Sequence, residues 1–228
     1  MRISEIFYSI QGEGRLLGVP SVFVRASGCN LRCRWCDTPY TSWKPEGKNW
    51  IVKNILGEVA KYPARHVVIT GGEPFLAPDL EELTLELKQR GAHITIETAA
   101  TIFKPVAADL ISLSPKLANS TPWKRSKGDF AAMHDKCRLN YRVMQQFLDG
   151  YDYQLKFVVD RKTDLDEIRA VVGRLQNVDA VKVMLMAQGI KQKELSRKAR
   201  WIVELCKQFG YSYTPRLHIE LFGNRRGT

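Results

Sequence analysis

Short runs of β-branched and other apolar residues alternate along this chain with stretches of helical periodicity, and that alternation restricts the fold more than any other feature. The β-type runs are Val22–Ala26, His66–Thr70, His93–Glu97, Leu110–Leu113, Gln154–Val159, Ala180–Leu185 and Leu217–Leu221. Helical periodicity runs from Trp50 to Lys61 and from Asp79, a capping residue, to Arg90, with Gly91 just past the end. Two more helices are expected at about 164–175 and 193–209. Repeated strand–helix units imply a parallel sheet with right-handed crossovers. About seven strands are too few for a closed eightfold barrel. The expected fold class is therefore α/β: a partial, TIM-like barrel of mostly parallel strands with flanking helices, as one domain over residues 1–228.

The polar motifs fall where such a fold places ligands. A cysteine-rich loop follows Val22–Ala26, Gly71-Gly72-Glu73-Pro74 follows the second run, Glu97-Thr98 ends the third, and Ser114-Pro115-Lys116 follows the fourth. In a parallel sheet these are all C-terminal strand ends, which share one face. The polar stretch from Ala118 to Leu139, broken by Pro122 and Gly128, is long for a plain connection and reads as a mobile flap or an inserted turn.

The loop carries Cys29, Cys33 and Cys36 in a C-x3-C-x2-C spacing. One loop of this kind can wrap three thiolates around an iron–sulfur cube and leave one iron open for chemistry. A structural zinc site wants four closed ligands, and the remaining cysteines, Cys137 and Cys206, are single and distant. A disulfide would leave one of the three unpaired. The spacing thus ranks a cluster above zinc, and zinc above a disulfide.

Charge and apolar content exclude little. The net charge of +11 and pI near 9.5 permit nucleic-acid binding, but the basic residues are scattered over helices with no recognised binding motif. A general attraction for anionic small molecules is the middle view. No apolar run approaches a membrane span, and the chain opens directly into an alternating segment. No nucleic acid, no membrane and a reducing cytoplasm are the expectations.

With these residues in hand the sequence resembles the radical S-adenosylmethionine (SAM) superfamily, through the cysteine spacing after the first run and Gly-Gly-Glu-Pro after the second. Three further features resemble the 7-carboxy-7-deazaguanine synthases within it. These are Phe7-Tyr8-Ser9-Ile10-Gln11-Gly12-Glu13-Gly14, Cys36-Asp37-Thr38, and the ending from Pro215 to Gly227. The resemblance implies a radical SAM core with a 4Fe-4S cluster on Cys29, Cys33 and Cys36, and SAM held by Trp35, Cys36, Asp37, Gly72, Glu73, Ser114, Pro115 and Lys116. It implies Mg²⁺ on Thr38. It implies conversion of 6-carboxy-5,6,7,8-tetrahydropterin to 7-carboxy-7-deazaguanine with loss of ammonia, in queuosine-type deazapurine biosynthesis. An electron donor such as flavodoxin or ferredoxin and a homodimer complete the expectation. A glycyl-radical activase, another small radical SAM enzyme, shares the cysteine spacing.

For the substrate, Ile10, Gln11, Gly12, Glu13, Arg25 and Thr70 are the candidates. Arg25 interrupts an apolar strand, and a buried arginine needs a partner. A substrate carboxylate would serve, or an ion pair with Glu13 or Glu97. Glu97-Thr98-Ala99-Ala100 has alanines where the family carries a small polar residue and glycine. Alanine is a poor occupant if that turn needs positive φ.

Overall fold

A computed structural model describes all of residues 1–228. The chain runs β1 (Arg2–Ile10), β2 (Pro20–Ala26), α1 (Pro39–Ser42), β3 (Lys48–Asn49), α2 (Val52–Val59), β4 (His66–Gly71), α3 (Leu80–Gln89), β5 (His93–Thr98) and β6 (Leu110–Leu113). It continues α4 (Ala131–Cys137), α5 (Tyr141–Gly150), β7 (Tyr153–Val159), α6 (Asp164–Gly173), β8 (Val183–Ala187), α7 (Gln192–Phe209), β9 (Ser212–Thr214) and α8 (Leu217–Phe222). The strands form one nine-stranded sheet in the order β3-β1-β2-β4-β5-β6-β7-β8-β9. From β2 to β9 every pairing is parallel, while β1 and β3 add an antiparallel edge. Short β3 and β9 are the two edges, and the sheet stays open as a partial barrel.

The period of two along each strand sorts side chains between two faces. Val22, Val24, Val67, Ile69, Ile94, Ile96, Leu155 and Phe157 join the main core of 38 buried residues against the helices. The alternate positions face inward. Phe7, Phe23 and Val68 form a small separate apolar cluster there, with Phe7 stacked on Phe23 at 4.9 Å. One register step nearer the C-terminal end the same face turns polar. Arg25 lies opposite Thr70, Glu97 opposite Ser112, and Ser112 opposite Gln154. Lys156 follows two residues further along β7.

The helices obey their apolar stripes. Leu80, Leu83, Thr84 and Leu87 are the buried side of α3, and Gly91 ends it at φ +77. Asp79 occupies the cap position, but its carboxylate makes no cap bond and instead takes the Met1 amino group at 2.6 Å. Leu195, Lys198, Ile202 and Cys206 are the buried side of α7.

Two expectations are corrected. Leu217–Leu221 is a helix, not a strand: of its three alternating apolar residues only Ile219 is buried, and the last strand is the three-residue β9 before it. The Ala180–Leu185 strand begins later, because Ala180–Lys182 forms a 3₁₀ turn capped by Asp179, whose side chain accepts from Val181 N–H. Of the two readings of Ala118–Leu139, the structure fits the inserted turn: the stretch holds two 3₁₀ turns and α4, and it packs on the cysteine loop.

Candidate active site

The cysteine loop leaves β2 and meets the turn after β4 backbone to backbone. Gly72 N–H donates to Ala26 O (3.0 Å), Glu73 N–H to Gly28 O (2.8 Å), and Gly28 N–H to Thr41 O (2.8 Å). A Cβ on Gly72 would lie 1.9 Å from Gly28 O, so no side chain is admissible there. Gly71 sits at φ +123 with its would-be Cβ 2.1 Å from Ala26 O. These two glycines let the loops that carry the two strongest motifs touch.

Within the loop, Leu31 N–H donates to Cys29 Sγ (3.3 Å), and Cys36 Sγ lies 3.2 Å from Ser42 Oγ. Burial pushes the Cys29 thiol up to about 11 and the Cys33 thiol up to about 12. Each also feels the charge of Cys36 and, in the opposing sense, of Lys116, so the three sulfurs and this lysine share one neighbourhood. Thiols so placed are inert unless a cation replaces their protons. No three His, Cys, Asp or Glu side chains converge to grip a single metal ion. Three soft donors spread along one loop suit a thiolate-held cluster, so the residues present fit that group.

Thr38 is the residue before α1. Its hydroxyl accepts from Thr41 Oγ1 (3.2 Å) and makes no cap bond. The Trp35 indole N–H donates to Asn119 O (3.1 Å), which docks that ring onto the following turn segment. Lys116 Nζ folds back onto Ser114 O and Ser114 Oγ, both at 2.7 Å, across Pro115. Glu73, expected at SAM, also has partners within its own chain. It is buried, and its carboxylate takes Thr98 Oγ1 (2.8 Å), Ala99 N–H (2.9 Å) and Phe75 N–H (3.2 Å). Glu73 therefore pins the turn after β5 to the turn after β4. Within that pinned turn Ala100 has φ +57, the left-handed conformation that alanine disfavours.

The loop after β1 closes over the polar row. Ile10 pairs with Pro20 at the end of the hairpin. Gln11 Nε2 donates to Glu97 Oε1 (3.2 Å), and Thr70 Oγ1 to Glu97 Oε2 (2.7 Å). The C-terminal segment clamps this loop: Leu217 N–H donates to Gly12 O (2.9 Å), Gly14 N–H to Thr214 Oγ1 (2.7 Å), and His218 packs where a Gly12 side chain would stand. Glu13 is ion-paired to Lys156 and to Arg216 Nε (3.0 Å). Burial works to raise its carboxyl, but Lys156 and then Arg216 outweigh this and hold it far below the usual range. Arg216 also donates to Gly189 O (2.7 Å) and pairs with Asp37, next to Cys36. Asp37, expected at SAM, is thus tied to the C-terminal segment.

Arg25 pairs with neither Glu13 nor Glu97. Its Nε donates to Glu5 Oε1 at 2.6 Å, the residue opposite it on β1, and its two Nη groups make no protein hydrogen bond. The outer edge of the guanidinium remains available to a planar anion.

Sequence reasoning missed Glu5, Ser112, Gln154, Lys156 and Arg216. A signal existed for Lys156: a lysine inside a strand whose every residue is buried, the same anomaly that singled out Arg25. Arg216 lay within the Pro215–Gly227 ending, but its role was not legible because its partners lie 179 and 203 residues away.

His134, on α4, ties the inserted segment to the cysteine loop. Arg32 N–H donates to its Nδ1 (3.0 Å), and Nε2 lies 2.9 Å from Ser120 Oγ. Nδ1 must be unprotonated to accept, so the neutral ring with the proton on Nε2 is the form that fits. Burial, then Arg138, lowers its pKa to about 4. A histidine whose folded pKa is lowered stabilises the fold fully above its unfolded value of 6.5 and loses that contribution as pH falls toward 4. We expect the melting temperature to fall between those limits, and His134→Gln to flatten the slope. An unchanged slope in thermal melts of that variant would assign the acid sensitivity elsewhere.

The Radical SAM superfamily model matches residues 23–119. The 7-carboxy-7-deazaguanine synthase of Rhodopirellula baltica is 47% identical over 227 residues, spanning 99% of this chain and 88% of its own. That of Halobacterium salinarum is 43% identical, spanning 97% and 90%. The crystal structure of QueE from Escherichia coli superposes with a TM-score of 0.70 at 25% identity, over 95% of this chain and 94% of that one.

Proposed function

The chain belongs to the 7-carboxy-7-deazaguanine synthase family of radical SAM enzymes, and on that premise we propose the following assignment of its site to the reaction. The enzyme converts 6-carboxy-5,6,7,8-tetrahydropterin to 7-carboxy-7-deazaguanine and ammonia, with a 4Fe-4S cluster and SAM as cofactors. One observation carries the assignment: the cysteine loop and the Gln11–Gly14 loop meet at one end of the sheet and are joined through Arg216, which lies 179 residues beyond Asp37 and 203 beyond Glu13.

Cys29, Cys33 and Cys36 would hold the cluster, which together with SAM would supply one-electron radical chemistry for hydrogen-atom abstraction from the pterin. The chain's own residues place and shield the reactants. Gly71 and Gly72 hold the two SAM-side loops in backbone contact, and Lys116 offers a cation on that side. Arg25 presents its free Nη edge to the substrate carboxylate in bidentate fashion. Glu97, oriented by Thr70 and Gln11, accepts from the N–H edge of the pterin. Glu13 and Lys156 close the floor of the same space. Anaerobic incubation with SAM, dithionite and the carboxytetrahydropterin should yield the deazaguanine by mass spectrometry without any partner protein. A requirement for a protein substrate would favour the activase reading.

Thr38 is proposed as a ligand of Mg²⁺, since a hydroxyl is a hard donor and Mg²⁺ takes only one or two protein oxygens, leaving room for the substrate carboxylate. A chelator should lower the turnover of the wild type about tenfold or more, the range of a lost metal-ligand interaction. Thr38→Ala should be slow with or without Mg²⁺ while keeping its iron. Equal rates with metal and with chelator in both proteins would remove Mg²⁺ from the site. A homodimer and an external one-electron donor complete the proposal. No helix is long and apolar enough to cross a membrane.

A further inference from the structure

The period of two breaks once along β1. Ile3 lies opposite Ala26 and Glu5 opposite Arg25, so Ser4 is an extra residue, a β-bulge. With strict alternation Ile3, Glu5 and Phe7 would share one face. With the bulge, Ile3 packs in the main core, while Glu5 and Phe7 turn inward beside Arg25 and Phe23. A bulge re-aims a side chain. Here the side chain is an acid, and it is set against the arginine that faces the substrate carboxylate.

Arg25 is held from two directions. Its guanidinium carbon lies 5.4 Å over the Phe7 ring, and its Nε is on Glu5 Oε1, which leaves the Nη edge free. Both oxygens of Glu5 are fixed in turn. Oε1 also accepts from the Tyr40 hydroxyl (2.9 Å), and Oε2 accepts from Arg226 Nε (3.3 Å). Tyr40 lies in α1, two residues after Thr38. Arg226 spends its other nitrogens on Ser4 Oγ (3.1 Å) and Glu46 Oε2 (2.9 Å), and lies 4.2 Å over the Tyr40 ring. One arginine of the C-terminal segment thus grips the bulge, the acid that the bulge re-aims and the ring whose hydroxyl that acid accepts. The Glu5 and Arg25 side chains are 13% and 16% exposed and that of Arg226 is 45% exposed, so Arg226 closes the pair from the solvent side. Neutralising Arg25 needs Glu5 alone. The bonds from Tyr40 and Arg226 add no negative charge; they fix direction.

We propose that Glu5 is a positioning residue for substrate selection and that Arg226 is the latch that holds it: together they aim the Nη edge of Arg25 at the carboxylate of the pterin. The inference rests on the reading above, in which Arg25 binds that carboxylate. Tyr40 ties the same acid to the segment that carries Thr38, so the two groups assigned to the carboxylate share one support. The consequence is specificity. The bulge, Glu5 and Arg226 set the preference for a carboxylated pterin over the same ring without its carboxylate, although neither Glu5 nor Arg226 touches the substrate.

The test measures binding rather than turnover. The cluster-loaded enzyme with SAM is titrated anaerobically, by calorimetry, with 6-carboxypterin and with pterin, which lacks the carboxylate. The wild type should prefer 6-carboxypterin, and Arg25→Lys should lose most of that preference, since lysine has no fork. Glu5→Gln and Arg226→Met should each lower the preference about tenfold or more, with pterin affinity kept within about twofold, the pattern of one displaced binding group. The double variant should lose no more than the larger single loss, because both residues act through one contact. Tyr40→Phe removes only a hydroxyl and keeps the ring under Arg226. It should shift the preference the same way by less, and it carries the test if Glu5→Gln fails to fold. Equal weakening of both ligands would make Glu5 and Arg226 supports of the whole pocket. An undiminished preference in the variants would leave Arg25 self-sufficient. Either result overturns the inference while the loss in Arg25→Lys still stands for the carboxylate contact. A wild type without preference would remove the Arg25 reading itself, and the latch with it.

Discussion

Alanine at any one of Cys29, Cys33 or Cys36 is expected to reduce bound iron to trace levels and SAM cleavage to background, while Cys137→Ala and Cys206→Ala retain both. Each loop cysteine is a separate corner of a three-point attachment, and one loop supplies no spare thiol. Cys137 lies at the end of α4, and Cys206 lies on the buried side of α7, where its thiol donates to Ser212 O (3.3 Å). A small buried hydrophobe of that kind accounts for stability, not for metal. Cys206→Ala should therefore lower the melting temperature modestly and leave the iron-to-protein ratio alone. Iron analysis after anaerobic purification, with 5′-deoxyadenosine measured by chromatography, reads both quantities. Iron lost from the Cys206 variant at unchanged fold would break the three-ligand assignment.

Much of this site was legible in the sequence because the signals were local. The cysteine spacing, the two glycines before Glu73, and the Gln-Gly-Glu-Gly loop each occupy a few adjacent residues, and strand–helix alternation sufficient to place them at one sheet end is a short-range pattern as well. The anomaly at Ala99–Ala100 was also local, and the turn does demand positive φ at Ala100. What failed was range or length. Arg25 was rightly read as an arginine in need of a partner, but the choice among acids depended on the β1–β2 register, which sets Glu5 opposite it. Strand β9 has three residues, too few for a period, and the alternation at Leu217–Leu221 mimics a strand although one helical residue does the packing. Helix α5 had readable signals, with Asn140 capping Val143 N–H (3.2 Å) and Val143, Met144 and Phe147 buried at helical spacing, and it went unassigned. Glu73 shows a different limit. Its carboxylate accepts from Thr98 and Ala99, 25 and 26 residues further on, and no short-range pattern marks these partners.

Arg216→Met is expected to cost about 3–5 kcal/mol of stability, the range for removing one partner of a buried ion pair. It should also weaken pterin turnover far more than SAM cleavage. The guanidinium uses all three of its nitrogens, on Glu13, Gly189 O and Asp37. Removing it leaves Asp37 without its partner and Glu13 with Lys156 alone, and unfastens the loop that covers the substrate row from the loop that carries the cysteines. Lysine at this position restores charge but not the fork, so Arg216→Lys should recover part of the stability and little of the turnover. The carboxylates give an independent reading. Burial opposes ionisation of both Glu13 and Asp37, and Lys156 and Arg216 overcome it at Glu13 while Arg216 does so at Asp37, so both folded-state pKa values lie below the unfolded ones. Their contribution is present above about pH 4.5, the ordinary carboxylate range, and is lost as acid protonates them. That places it below the His134 window. In Arg216→Met the two pKa values rise toward normal, so stability measured by denaturant titration should depend less steeply on pH below about 4.5 than in the wild type. Coupling between Arg216→Met and Glu13→Gln should be of order 1–3 kcal/mol, because contacting charges are not additive. Additive single effects, with the acid slope intact, would reduce Arg216 to a packing residue and leave the two loops energetically independent.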